Sequence, residues 1–369
     1  MTFDASLQFV QGSDESSLDY RLLTSEPGEP AGRLLDALIR TTESVPSGES
    51  LSAAFYYLRN ERLCNALADA RDRGVKVRIL VSGRTHVQGA NNAALATLRK
   101  RGFGRELCVR YKRNLGLSRM HLKLFLASAT KEHKNVILTG TYNPSGNDVA
   151  ELELMKRIGD QDRGYNYILE LRGAPALYAS LEAEFNALHD APRQARLVTP
   201  TTTTRHFVDV SSRALPTRDN PLLEYLSERL GSNLPGRLRI AASHLSHRGT
   251  IDLLGKLQDA GHRVEVISHD SQRRFPARAE DRLRSSCVEV RRYVHPERYP
   301  MHCKFILCEY PAENGRLERD LFLGSMNLNF RSYYLNDDLF LRISNGCLYD
   351  EFSQLWDRIS ADVETMTQQ

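Results

Sequence analysis

The sequence predicts an α/β protein built from two duplicated lobes. Each lobe is a mixed β-sheet covered by helices, and a pseudo-twofold axis relates the two, with the active site between them. Two observations carry this prediction. A strand, helix, glycine, strand unit occurs once in each half of the 369 residues. Each copy is followed by the same short words, His121-Leu122-Lys123 with Gly140-Thr141-Tyr142-Asn143 and His302-Cys303-Lys304 with Gly324-Ser325-Met326-Asn327. Self-similarity on this scale reports a repeated structural unit.

The elements follow in order. An N-terminal extension containing Pro27-Gly28-Glu29-Pro30 leads into a helix from Leu34 to Thr42. Leu51–Leu58 reads as a strand and Glu61–Arg73 as a helix stopped by Gly74, while Val75–Val81 alternates with the period of a half-buried strand. The second half repeats this as strand Leu238–Ser243, helix Ile251–Ala260, Gly261 and strand Arg263–Ile267. Gly74 precedes His121 by 47 residues and Gly261 precedes His302 by 41, so the halves stay in register up to the motif. Past it, Ile137–Gly140 matches Leu321–Gly324, and Glu153–Ile158 is matched to Asp338–Ile343. Amphipathic helices Leu177–Leu188 and Leu348–Ile359 close the halves. The polar, proline-flanked stretch from Ala191 to Thr204 reads as a linker, which sets the lobes at residues 1–195 and 205–369.

Composition sets the bounds. Apolar residues make up 41% and charged residues 26%, enough for a full core, and a net charge of +4 singles out no partner. Met1 to Tyr20 lacks the basic start and apolar run of a signal peptide, and no window approaches ~18 consecutive apolar residues. A cytoplasmic protein without a transmembrane segment is expected. Six cysteines without CxxC pairs read as reduced thiols, and neither a metal nor a cofactor is expected.

The repeated word carries chemistry. Alternate residues of a strand share a face, so His121 stands beside Lys123 and His302 beside Lys304, while Leu122, Leu124, Leu126, Cys303, Phe305 and Leu307 point into the core. Lysine places positive charge where a phosphoryl oxygen would sit, and Asn143 and Asn327 add hydrogen-bond donors. One histidine can attack phosphorus while the other protonates the leaving oxygen and then activates water. A nucleophilic imidazole needs its second nitrogen anchored, and Glu153 and Asp338 stand at matched places, with Glu151 and Asp337 as neighbouring alternatives. A single His-x-Lys is ordinarily a surface pair. Two copies, each followed by the same tetrad and a carboxylate, are not.

At these residues the chain resembles the phospholipase D superfamily, whose signature is H-x-K-x4-D followed by G-S/G-x-N. The second half, with Gly324 to Ser332 and then Leu335-Asn336-Asp337-Asp338, is similar to the cardiolipin-synthase-like branch. The resemblance covers nearly the whole chain and implies a metal-independent phosphodiesterase working through a phosphohistidine. It makes His121 the nucleophile and His302 the acid and base, with Lys123, Lys304, Asn143 and Asn327 on the phosphate and Thr141 and Ser325 as supporting substrate-binding hydroxyls. The signature aspartate is replaced by Ser128 and Glu309, Thr141 stands for the usual small residue, and the second copy carries an insertion, Tyr310 to Arg319, read as a hairpin loop. The lost aspartates are expected to affect structure or substrate preference more than chemistry.

Other segments have two readings each. Arg110-Tyr111-Lys112-Arg113 and Arg291-Arg292-Tyr293 are either contacts to an anionic substrate or solvated strand edges. Arg99-Lys100-Arg101 suits a helix C-terminus. His244 and His247 are structural histidines or approach the site, and Gly83 to His86 and Asn91-Asn92 occupy a loop that could select substrate. The expected partner is a phosphodiester substrate: a phospholipid-type diester first, met by peripheral membrane contact, with a nucleic acid as the alternative and an inactive binding module behind both. Because the chain supplies both halves itself, a self-sufficient monomer is expected.

Overall fold

The computed structural model describes residues 18–111, 118–145, 162–191, 205–207, 210–217, 219–229, 235–269, 271–312 and 315–367. The first lobe runs β1 (Asp19–Ser25), α1 (Arg33–Ser44), β2 (Ser50–Phe55), α2 (Glu61–Asp72), β3 (Lys76–Ser82), α3 (Asn92–Lys100), β4 (Leu107–Arg110), β5 (Lys123–Ala129), β6 (Lys134–Gly140), β7 (Asn166–Arg172) and α4 (Pro175–Asp190). The second runs β8 (Arg205–Phe207), β9 (Val210–Leu215), α5 (Pro221–Arg229), β10 (Arg237–Ala242), α6 (Arg248–Asp259), β11 (Arg263–His269) and α7 (Ala277–Ser285). It continues with β12 (Glu289–Tyr293), β13 (Lys304–Pro311), β14 (Leu317–Gly324), α8 (Phe330–Tyr334), β15 (Asp338–Ile343) and α9 (Gly346–Thr367).

The duplication is exposed by sheet order. The first sheet reads β1-β7-β6-β5-β2-β3-β4 and the second β12-β11-β10-β13-β14-β15-β9-β8, the same arrangement with β8 added. In each, three strands joined by helices run parallel and the motif strand (β5 or β13) turns antiparallel beside the first of them. Local chemistry sets the helix ends. Asn60 accepts the Leu63 N–H to start α2, and Gly74 adopts φ +95 just past its end. The α6 helix starts three residues before the predicted Ile251 because the His247 ring accepts the Thr250 N–H, a cap outside the usual Ser, Thr, Asp and Asn.

Three hydrophobic layers hold the lobes. Outer cores lie under α1–α3 and under α5–α7. The central core joins Leu122, Leu124 and Leu126 to Cys303, Phe305 and Leu307, with Phe185 of α4 and Phe352 of α9 among them. Both faces of each sheet are therefore covered. The expected half-buried strand at Val75–Val81 is exposed only at its start, as suits parallel strands with helices on both sides.

Two expectations change. The insertion Tyr310–Arg319 is in part strand and not loop throughout: β13 runs to Pro311 and β14 starts at Leu317, so it lengthens the hairpin. The strand matched to β15 is β7, which pairs with β6 as β15 pairs with β14. Glu153–Ile158, assigned that place from spacing, lies outside the described residues, as do Glu151, Lys112, Arg113 and most of the linker. All six cysteines are free thiols. Among the described residues, no helix is long and apolar enough to cross a membrane.

Candidate active site

Each histidine is fixed by the opposite lobe. Met120 forms a parallel bridge with Asp337, and the Asp337 carbonyl accepts the His121 N–H at 2.8 Å. In the mirrored arrangement Met301 bridges Tyr165, whose carbonyl accepts the His302 N–H at 2.9 Å. The next residue along each of these segments reaches the imidazole itself. His121 Nδ1 meets Asp338 Oδ1 at 2.7 Å, and His302 Nδ1 meets Asn166 Oδ1 at 3.0 Å. With both Nδ1 atoms engaged from behind, Nε2 is the nitrogen that each ring offers to the cavity.

The supporting contacts repeat as well. Lys123 Nζ donates to the His121 carbonyl and Lys304 Nζ to the His302 carbonyl, at 2.6 and 2.8 Å. Ser325 and Thr141, expected against substrate, are fully buried behind the histidines. Ser325 Oγ donates to Asp338 at 2.6 Å, and Thr141 Oγ1 donates to Asn166 at 3.3 Å. They orient the groups that orient the rings. Asn143 Oδ1 accepts the Tyr57 N–H at 3.3 Å, which leaves its amide N–H groups for the cavity.

A cavity of about 660 Å³ lies between the lobes, lined by His121, His302, Asn143 and Asn327. Arg119, Arg273, Arg274 and Arg331 surround them, with Tyr56, Tyr57 and Phe330, and among the described residues no aliphatic side chain lines it. The two lysines lie beneath this floor, 3% and 5% exposed. Among the described residues, no cluster of three or more His, Cys, Asp and Glu could hold a metal ion.

Burial and crowded cations govern the titration. Burial, then the Lys123 ammonium, pulls the His121 imidazole down to about 4 against the opposing Asp338 carboxylate. Burial alone would raise the Asp338 carboxyl, but His121, Lys123 and the Ser325 hydroxyl hold it below its usual range. His302 is held well below the usual imidazole value by burial, Lys304 and Lys123. Burial takes Lys123 down to about 7, and burial with Lys123 takes Lys304 well below the ordinary lysine value. At neutral pH the site thus presents a carboxylate-backed neutral imidazole in a pocket short of negative charge.

Several sequence-level candidates resolve. Arg110 is neither a substrate contact nor solvated, although β4 is the edge of its sheet: it forms a buried ion pair with Asp337 at 2.9 Å across the lobes. Arg291 bonds Glu364, Arg292 bonds Glu280 and Tyr293 is buried, so that segment is structural too. Arg101 caps α3 and pairs with Asp69. His244 and His86 do line the cavity, whereas Asn91 is buried and bonds the Leu58 N–H. The departures Ser128 and Glu309 lie toward the far ends of β5 and β13, where Ser128 bonds Glu49 and Glu309 pairs with Arg319. Asn166 is absent from the sequence-based candidates, because the backing role is assigned there to carboxylates and an amide carries no charge signal.

The family model described as cardiolipin synthase, PLD-like domain matches residues 42–188 and 233–360. It spans well over half of the chain, and the protein belongs to this phospholipase D-like family. It is an enzyme of the class that hydrolyses or transfers phosphodiesters. Solved structures share the fold. Polyphosphate kinase from Porphyromonas gingivalis matches with TM-score 0.60 and 16% identity over 92% of this chain, which spans 50% of that one. Phosphatidylserine synthase from Haemophilus influenzae Rd KW20 gives 0.59 and 14%, covering 92% of this chain and 86% of its own. A mutant of yeast tyrosyl-DNA phosphodiesterase 1 gives 0.50 and 11%, covering 88% and 90%. No curated protein sequence matches the chain.

Proposed function

We propose that the protein cleaves or transfers a phosphodiester through a phosphohistidine on His121, without a metal. The observation that carries this reading is the pair of imidazoles, each held through Nδ1 by a group from the other lobe at the floor of one cavity. Nε2 of His121 attacks phosphorus, and the bond to the leaving oxygen breaks as that oxygen takes a proton from Nε2 of His302. Water or an alcohol then attacks the phosphohistidine. His302 takes its proton, and the P–N bond breaks to free His121.

The carboxylate decides which histidine attacks. A phosphorylated imidazole carries positive charge, which Asp338 compensates and Asn166 cannot. His302, backed by a neutral amide, gives up a proton more readily. The phosphodiester's own negative charge offsets the lysines and lets His302 take up the proton that it delivers.

For the substrate, the cardiolipin-synthase description of the family favours a phospholipid-type diester, which would enter head group first with its acyl chains outside. A second reading, a nucleic acid, is favoured by the four arginines and three aromatic rings that line the cavity among the described residues. Turnover of bis(p-nitrophenyl) phosphate, labelled phospholipid vesicles and single-stranded DNA, each with a chelator present, tests both parts. Metal-free turnover with an acid-labile phosphoryl label on His121 is expected. Loss of all activity on chelation, or undiminished turnover by His121→Ala, overturns the mechanism.

A further inference from the structure

A second cavity of about 400 Å³ opens between the first turns of α6 and α7. Arg248, Arg278 and Arg282 line it, together with Ser246, which also lines the catalytic cavity. Arg248 and Arg282 share one carboxylate, Asp252, at 3.7 and 2.5 Å, so these two guanidinium groups have one carboxylate between them among the described residues. From His244 on the catalytic wall to Arg248 the chain runs four residues, a span of at most ~14 Å. Arg273 and Arg274 precede α7 and line the catalytic cavity, so arginines continue from one cavity into the other. Guanidinium pairs with phosphate in a two-point fork, and cationic grooves of this kind follow a phosphate backbone.

We infer that the α6–α7 groove is a second phosphate subsite, which binds a further backbone phosphate of a single-stranded nucleic acid whose scissile diester lies between His121 and His302. This deepens the second, nucleic-acid reading of the proposed function and rests on it. Two features select a strand over a lipid surface. The groove is concave and leads out of an internal cavity, whereas a bilayer presents a plane. The catalytic cavity adds Tyr56, Tyr57 and Phe330, the last 57% exposed, as faces on which bases stack.

The test compares wild type with Arg248→Glu/Arg278→Glu on three probes: bis(p-nitrophenyl) phosphate, a 5′-labelled oligothymidylate and phosphatidylglycerol vesicles. Both positions lie outside the catalytic cavity and in first helical turns, where glutamate suits the helix dipole, so the fold is kept. Unchanged turnover of the small diester verifies that. KM for the oligothymidylate should rise at least about tenfold with kcat unchanged, and its dependence on salt should become shallower by about one unit of slope per arginine. An unchanged KM in the variant overturns the subsite. Loss confined to the vesicles overturns the strand assignment in favour of lipid head groups. Wild type that turns over the small diester and no oligonucleotide also overturns the strand assignment, with the catalytic reading intact. Failure of the wild type on the small diester itself strikes the proposed function instead.

Discussion

The two lobes repeat one fold, with β8 added in the second, and differ at the side chain that backs each histidine. β15 of the second lobe offers Asp338 to His121, and β7 of the first offers Asn166 to His302 from the matched place. Three contacts around that pair are duplicated: the lysine bonded to the histidine carbonyl, the hydroxyl behind the backing group and the backbone bridge across the lobes. A symmetric scaffold thus brings two imidazoles to one cavity, and a carboxylate behind one and an amide behind the other make them chemically unlike. In the proposed mechanism duplication supplies the geometry, and the difference between the copies divides the labour.

The comparison breaks most directly at the histidines. His121→Ala should lose at least about 10⁴-fold in kcat on any diester, because no nucleophile replaces it. His302→Gln should lose about 10²–10⁴-fold with a poor leaving group and far less with p-nitrophenolate, which leaves without a proton. Burst kinetics on bis(p-nitrophenyl) phosphate would then show phosphoenzyme accumulating in His302→Gln alone. Accumulation in His121→Ala would reverse the roles.

Exchanging the backing groups comes next. Asp338→Asn should cost roughly 10²–10⁴-fold in kcat, as the imidazole loses its fixed tautomer and the compensating charge. The acid limb of kcat/KM should not rise with it. His121 titrates at about 4, and the carboxylate pushes that value up, so removing it moves the limb down. Asn166→Asp does the opposite for His302: a new negative charge favours the imidazolium and should carry the alkaline limb upward by about a unit or more. A pH profile of each variant decides this, and limbs that stay put in both would mean that the backing groups act only as struts.

How legible the site was follows the same division. The His-x-Lys strands, the helices and the glycine stops were readable because they rest on local periodicity and local turn chemistry, and Asp338 was readable as a backing carboxylate, but not its crossing to His121 of the other lobe. Asn166 was hidden for two physical reasons. It stands 23 residues after Asn143 whereas Asp338 follows Asn327 by 11, and an amide in that position carries no charge signal. Arg110 misled because sequence shows a cation near the motif but not the aspartate 227 residues away that neutralises it.

That ion pair makes the lobes unlike in a second way. Asp337 meets buried Arg110, whereas the matched Tyr165 donates its hydroxyl to Asp362 at 2.7 Å. Asp337→Ala should destabilise by about 3–5 kcal/mol, since it strands a buried guanidinium. Tyr165→Phe, which removes a part-buried hydrogen bond, should cost about 1.5–3 kcal/mol. Denaturant melts of both, alongside Arg110→Met/Asp337→Leu, sharpen the contrast. The double variant, with no charge left buried, should recover most of the loss, and equal costs for all three would remove the asymmetry at this level.

The smallest expected difference is between the two hydroxyls. Ser325 donates to an ionised carboxylate at 2.6 Å and Thr141 to a neutral amide at 3.3 Å. Each also accepts a backbone N–H, from Leu339 and Tyr167 respectively, at 3.0 and 3.1 Å. Hydrogen bonds to charged groups contribute about 1.5–3 kcal/mol and neutral ones about 0.5–1.5. Ser325→Ala should therefore lower kcat by roughly tenfold or more, through a carboxylate less firmly held against His121. Thr141→Val keeps the shape and should lower it only a few-fold. Because both act through the groups behind the rings, the losses should appear in kcat with KM for bis(p-nitrophenyl) phosphate little changed. A rise in KM as large as the fall in kcat for either variant would return that hydroxyl to the substrate.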